Sequence, residues 1–173
     1  DISNYMSHAY RIKSVNNDIY ISGLTDGAED YALIKMNQSG ELIWSNIYGG
    51  SESDHCFAMD VNDKNEIFLS GHTTSQTANW DTYTMKIDTD GNKLWEFKRG
   101  NPRGFDENFI HDEVWGVTST DDGGCIITAG TGDEYDEYSA TCDNSSESSD
   151  QSNVYSNKFS SNAVTLSHQT VPA

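Results

Sequence analysis

Asp30-Tyr31-Ala32-Leu33-Ile34-Lys35-Met36-Asn37-Gln38-Ser39-Gly40-Glu41-Leu42-Ile43-Trp44 returns further along the chain as Asp81-Thr82-Tyr83-Thr84-Met85-Lys86-Ile87-Asp88-Thr89-Asp90-Gly91-Asn92-Lys93-Leu94-Trp95. Aspartate, lysine, glycine and tryptophan keep their places in both copies. Upstream, Asp18-Ile19-Tyr20-Ile21-Ser22-Gly23 reappears as Glu66-Ile67-Phe68-Leu69-Ser70-Gly71, and again as Cys125-Ile126-Ile127-Thr128-Ala129-Gly130. The copies are short, rich in β-branched and aromatic residues, and separated by turn residues. Such segments are strands.

Each copy divides into four strands. In the second they are expected near His55–Val61, Glu66–Thr73, Thr82–Asp88 and Lys93–Lys98, with turns at Asn62–Asn65 and Thr89–Asn92. Asp90-Gly91 is a strong hairpin signal, because glycine accepts the positive φ that the turn demands. Gly23, Gly71 and Gly130 close the second strand, at places where a side chain is expected not to fit. Trp44 and Trp95 are expected to fill the gap to the next sheet. A period of about 50 residues is that of propeller blades. The expected fold is therefore all-β: about three four-stranded antiparallel β-propeller blades, at residues 1–50, 51–104 and 105–173.

The segment Lys35 to Trp44, continued by Ser45-Asn46-Ile47-Tyr48-Gly49-Gly50-Ser51, resembles the bacterial-type seven-bladed β-propeller repeat. That repeat typically ends in a Lys-hydrophobic-Asp-x-x-Gly-Asn-x-x-Trp segment followed by Tyr-Gly-Gly. Asp88 to Gly100 is also similar to the repeats of quinoprotein propellers. The resemblance covers residues 7–130. It implies the fold and says little of function, since propellers host enzymes, lectins and scaffolds alike.

Three blades are too few to close a ring. Either the chain is a piece of a longer propeller, or it completes a ring by self-association, or it stacks into a filament. The third copy also departs from the pattern. Residues 131–152 form an acidic, serine-rich insertion without a base, a composition that does not order itself unaided. Cys142 lies in it, and a Cys125–Cys142 disulfide would staple it in an oxidising compartment. Periodicity resumes at Asn153–Phe159, where Lys158 falls in register with Lys35 and Lys86. The C-terminal end, Ala163 to Ala173, reads as a degenerate blade.

The chain has 28 acids against 10 bases, a net charge of −18. That surface repels phosphate backbones and anionic headgroups, so nucleic acid and membrane are not expected partners. No apolar run reaches the ~20 residues that span a bilayer. No signal-like apolar block follows Asp1, as in a mature or trimmed product. Asn37 and Asn144 open N-glycosylation tripeptides, which points towards the cell surface or the extracellular space.

Residues unique to one copy are the candidates for function. His55 and His72 are such residues, if His55 is aligned with Ser7 and Val114 and His72 with Leu24 and Thr131. The richest stretch is His111-Asp112-Glu113-Val114-Trp115, followed by Gly132 to Tyr138. His111, Asp112, Glu113, Trp115, Tyr135, Tyr138, His72 and Trp80 are candidates for a carbohydrate site, where rings stack on sugars and carboxylates accept from hydroxyls. Asp133, Glu134, Asp136 and Glu137 are candidate calcium ligands, and calcium is the one cofactor these residue types suggest. The expected function is a secreted or surface module that binds carbohydrate or a protein partner without catalysis. Two alternatives remain at this point. One is a fragment of a propeller-fold polysaccharide lyase, for which His55, His72, His111, Tyr135, Arg99 and Arg103 are candidates by residue type. The other is a self-assembling extracellular structural glycoprotein.

Overall fold

The first four strands fold as a meander because each apolar run is short and each link carries turn chemistry. β1 (His8–Val15), β2 (Asp18–Leu24), β3 (Tyr31–Asn37) and β4 (Leu42–Tyr48) pair antiparallel in that order. β5 (Asp54–Val61), β6 (Ile67–Thr73), β7 (Asp81–Ile87) and β8 (Lys93–Arg99) repeat the arrangement. β9 (Ile110–Ser119), β10 (Cys125–Asp133) and β11 (Thr165–Gln169) form a third sheet in the order β11-β10-β9. This is a computed structural model, and it describes residues 1–27, 29–77, 80–99, 110–133 and 165–169. Among them the protein is all-β. It consists of antiparallel sheets, each lying within one of the three expected sequence blocks.

The hairpin turns are built alike. Asn37 Oδ1 accepts from the N–H of Ser39 and of Glu41, each at 2.9 Å. Asp88 Oδ1 does the same for Asp90 and Asn92, at 2.9 and 2.8 Å. Gly40 and Gly91 follow at φ 79° and 88°, the left-handed conformation that glycine adopts without strain. Asn37 Nδ2 also donates to Glu41 Oε2 at 2.6 Å, so a glycan on this nitrogen would compete with a turn contact.

Successive sheets pack face to face. Tyr20, Tyr31 and Leu33 of the first sheet meet Cys56, Met59, Val61, Ile67, Leu69, Tyr83, Met85 and Ile87 of the second. Full burial of side chains of this size is worth about 1.5–3 kcal/mol each. Phe68, on the other face of the second sheet, packs with Val114, Cys125 and Ile127 of the third, and Trp95 closes over them. A repeated polar bridge accompanies each contact. Lys35 pairs with Asp18 at 3.0 Å and reaches the Thr89 carbonyl in the next sheet at 3.3 Å. Lys86 pairs with Glu66 at 2.9 Å and reaches the Gly123 carbonyl at 3.0 Å. Trp44 Nε1 donates to the Thr89 carbonyl as well, at 3.2 Å, so this tryptophan does bridge to the following sheet.

Three sequence expectations need correction. The end from Ala163, expected to be degenerate, supplies the third strand of the third sheet, Thr165–Gln169, paired with β10 from Ala129 to Cys125, while Asn153–Phe159 lies outside the described residues. Lys158 lies outside the described residues. The insertion expected from Thr131 begins later, because β10 runs to Asp133. Gly130 is not the counterpart of Gly71. Gly71 pairs with Cys56 and Gly23 with Ala9, next to an extra residue on the first strand, and in the third sheet that place is held by Ala129 paired with Val114. The very close backbone approach is thus a feature of the first two sheets.

The outward face of the first sheet is only partly covered. Ile2, Tyr5 and Met6 pack on Ile21, Ala32, Ile34 and Met36. Ile12 and Ile47, on the flanking strands, remain 71% and 62% exposed.

Candidate functional site

The first strand of every sheet contains one residue more than its partner strand. The extra residues are Tyr10, between Ala9 and Arg11; Phe57, between Cys56 and Ala58; and Trp115, between Val114 and Gly116. A bulge of this kind bends the strand and re-aims the side chain. All three are aromatic, and their rings meet. Tyr10 and Phe57 lie 5.0 Å apart between centroids, and Phe57 and Trp115 lie 5.2 Å apart and stacked at 26°. His8 stacks on Tyr10 at 6.2 Å. One ring from each sheet therefore forms a row across three sheets. Each such pair is worth about 0.5–1.5 kcal/mol beyond its burial.

Behind the row stands a second group of rings. His55 is 4.5 Å from Trp80 and 5.1 Å from His72, and His72 is 4.7 Å from Trp80 in an edge-on arrangement. Phe57 touches both histidines, at 5.9 and 5.0 Å. His55 Nε2 donates to Glu29 Oε2 at 2.6 Å, which fixes the imidazole beside the row. His72 is buried. The two ends of the row are open: Tyr10 is 37% exposed and Trp115 51%.

His72, Trp80 and Trp115, all expected from the sequence, thus gather in one place. Asp112 and Glu113 adjoin them on β9, and the Asp112 N–H donates to the Trp80 carbonyl at 2.8 Å. Both residues are buried. His111 is paired with Gly132 along the backbone, and Asp133 with Ile110; their side chains lie outside the described residues. So do Arg103, Glu134, Tyr135, Asp136, Glu137, Tyr138, Cys142 and Asn144. Among the described residues, no three carboxylate, histidine or cysteine side chains converge as a metal site requires. Cys125 is a free, buried thiol, pushed up to about 11 chiefly by burial, and Cys56 is pushed up to about 12 in the same way. Neither is a poised nucleophile.

His8, Tyr10, Glu29 and Phe57 belong to the cluster without having been expected there. The signal was an aromatic residue at one repeat position, in Ala9-Tyr10-Arg11, Cys56-Phe57-Ala58 and Val114-Trp115-Gly116. The bulges show that His55 corresponds to His8 and Glu113, not to Ser7 and Val114.

No protein-family model matches this chain, and no curated protein matches it. No helix among the described residues is long and apolar enough to cross a membrane.

Proposed function

We propose that the three sheets are blades of a β-propeller and that the chain binds carbohydrate, without catalysis, at the cell surface or outside the cell. The observation that carries this reading is Trp115: a half-exposed indole at the end of a row of rings, stacked on Phe57 from behind. A rigid flat ring that is open to solvent suits the apolar face of a pyranose. Tyr10, His8 and the His55–Glu29 pair supply hydrogen-bonding groups along the same row. The charge of the chain selects among sugars. A net charge of −18, with Glu29, Asp112 and Glu113 around the rings, disfavours uronates and sulfates and favours neutral or amino sugars. The same argument weighs against the polysaccharide lyase.

A glycan array followed by a fluorescence titration tests the reading. Neutral or amino-sugar glycans should be retained and should perturb tryptophan emission. Trp115→Ala should fold normally and weaken binding by at least about tenfold. An array that retains nothing, with or without calcium, ends the proposal, and so does a Trp115→Ala variant that binds like the wild type. Release of an ultraviolet-absorbing product from a polyuronate would bring the lyase forward.

A second reading, association of copies, is favoured by the uncovered face of the first sheet. The positions of Ile12, Ile21, Ile34 and Met36 are those of Met59, Leu69, Met85 and Ile87, which the second sheet buries against the first. A further sheet of the same kind would bury them equally, and a second chain can provide it in a closed ring. Light scattering should then give a discrete oligomer, and the paired substitution Ile12→Glu with Ile47→Asp should reduce it to monomers. A wild type that is uniformly monomeric rules this reading out.

A further inference from the structure

Where the first sheet meets the second, two aspartates close on one another. Asp30 stands just before β3 and Asp54 opens β5, and the Asp54 N–H donates to the Glu29 carbonyl at 3.1 Å across the junction. Both carboxyl groups crowd Gly49. A β-carbon added to Gly49 would lie 2.8 Å from Asp30 Cγ and 2.9 Å from Asp54 Oδ2. Asp54 is fully buried. Its Oδ2 accepts from the Gly50 N–H at 2.6 Å and from Ser75 Oγ at 2.9 Å. Its Oδ1, and Asp30 Oδ1, are buried with no partner among the described residues. A fully buried carboxylate facing a half-buried one, with no base between them among the described residues, is costly.

The backbone link between facing aspartates recurs at the next junction. Where the second sheet meets the third, Asp81 takes the place of Asp30 and Asp112 that of Asp54. The Asp112 N–H donates to the Trp80 carbonyl at 2.8 Å, as the Asp54 N–H donates to the Glu29 carbonyl. The repetition shows that the pairing comes with the junction and not with an accident of one loop.

We propose that each junction between neighbouring sheets is a proton latch, in which two facing carboxyl groups hold one proton and repel once it leaves. A carboxyl group that faces another carboxylate holds its proton more tightly than one that stands alone. Burial first, and then the charge of Asp54, pushes Asp30 up; burial first, and then the charge of Asp112, pushes Asp81 up. Among the described residues, the surroundings do not relieve the pair of Asp30 and Asp54. Tyr31 from β3, Tyr83 from β7 and Cys56 from β5 are all pushed up and stay neutral, with burial as the main cause. His55 of β5 is engaged with Glu29. Lys98 of β8 donates to the Ser75 carbonyl at 3.1 Å and lies over the Tyr83 ring, and it opposes the rise at Asp81 without cancelling it.

The sign follows from linkage. A carboxyl raised in the folded state stabilises the fold fully below its unfolded value of about 4, and that stability is lost as the pH rises through the raised value. The sheets should grip more tightly in mild acid and loosen towards neutrality. Asp30→Asn keeps the shape and has no proton to lose. Its melting temperature at pH 7.5 should exceed that of the wild type by about 3 °C, and the difference should vanish near pH 4. Asp81→Asn tests the second junction independently. Asp26→Asn, the same charge change at an exposed position, should show neither effect. If both junction variants melt at or below the wild type at pH 7.5 with an unchanged pH profile, the latch does not exist. If calcium chloride raises the melting temperature of the wild type but not of Asp30→Asn, a hard cation rather than a proton fills the pair, and the proposal is overturned.

Discussion

Gly71→Ala should strain the pairing of the first two strands of the second sheet, which approach more closely here than the third sheet allows with Ala129 in this place. A β-carbon at this position would overlap the carbonyl oxygen of His55 and lie 2.8 Å from its carbonyl carbon, and also 2.8 Å from the hydroxyl of Tyr31. None of these atoms is the loose end of a flexible side chain. The His55 carbonyl belongs to β5, and the Tyr31 hydroxyl is buried and donates to the Tyr83 carbonyl at 2.9 Å. Relief requires β5 to move away from β6. That weakens the pairing of Cys56 with Gly71 and of His55 with His72. The expected loss is about 3–4 kcal/mol. A total stability of 5–15 kcal/mol is the common range, so this is a large part of it. Urea unfolding checks it, and a midpoint close to that of the wild type would show that the strands do not approach as described. A variant that still folds should also lose the proposed carbohydrate binding, because His55, Phe57 and His72 sit on the strands that must shift.

The second large effect is expected at Asp60. This single carboxylate of β5 pairs with Lys13 of β1 and accepts from Ser119 of β9 through the backbone N–H at 2.7 Å and the hydroxyl at 2.6 Å. It ties three sheets together. Burial alone would raise it, but the bonds from Lys13 and Ser119 outweigh burial and hold it below the usual carboxylate value. Asp60→Ala leaves the Ser119 N–H without its acceptor. Lys13, 39% exposed in its side chain, can return to water, which limits the damage. The net cost should be about 2–3 kcal/mol at pH 7. The sign is opposite to that of the junction pairs: this contribution is present above the unfolded value near 4 and lost as the pH falls through the lowered one. Wild type and variant should therefore draw together in urea titrations as the pH falls below about 4. A difference that persists there would mean that the charge of Asp60 is not what holds the sheets.

The repeat was legible because its recurrent residues do the same physical work twice. Lys35 and Lys86 both bridge to the following sheet, and Gly40 and Gly91 both turn a hairpin. The third sheet was harder to read for the same reason. Its second strand has Ala129 where the others have glycine, so Gly130 offered a false anchor one residue away. That slip set Phe57 against Gly116 instead of Trp115, and a link one residue longer between the first two strands of the second sheet set it against Ala9 instead of Tyr10, so the row of bulged rings was concealed. Its third strand, Thr165–Gln169, shares none of the marks of β3 or β7, and only the pairing with β10 locates it. Of the site, His72, Trp80 and Trp115 stood out by residue type. The pairing of Asp30 with Asp54 did not, because it joins residues that lie on different sheets and have no sequence pattern in common.

The lysine bridges give the stack a direction. In each case the donor sits on the earlier sheet and the acceptor is a turn carbonyl of the later one: Lys35 to Thr89, then Lys86 to Gly123. A sheet that has just left the ribosome therefore carries an ammonium already oriented by its own carboxylate, Asp18 or Glu66. The next turn to be synthesised completes the bridge. Each of the first two sheets thus offers the one that follows it in the chain a prepared seat.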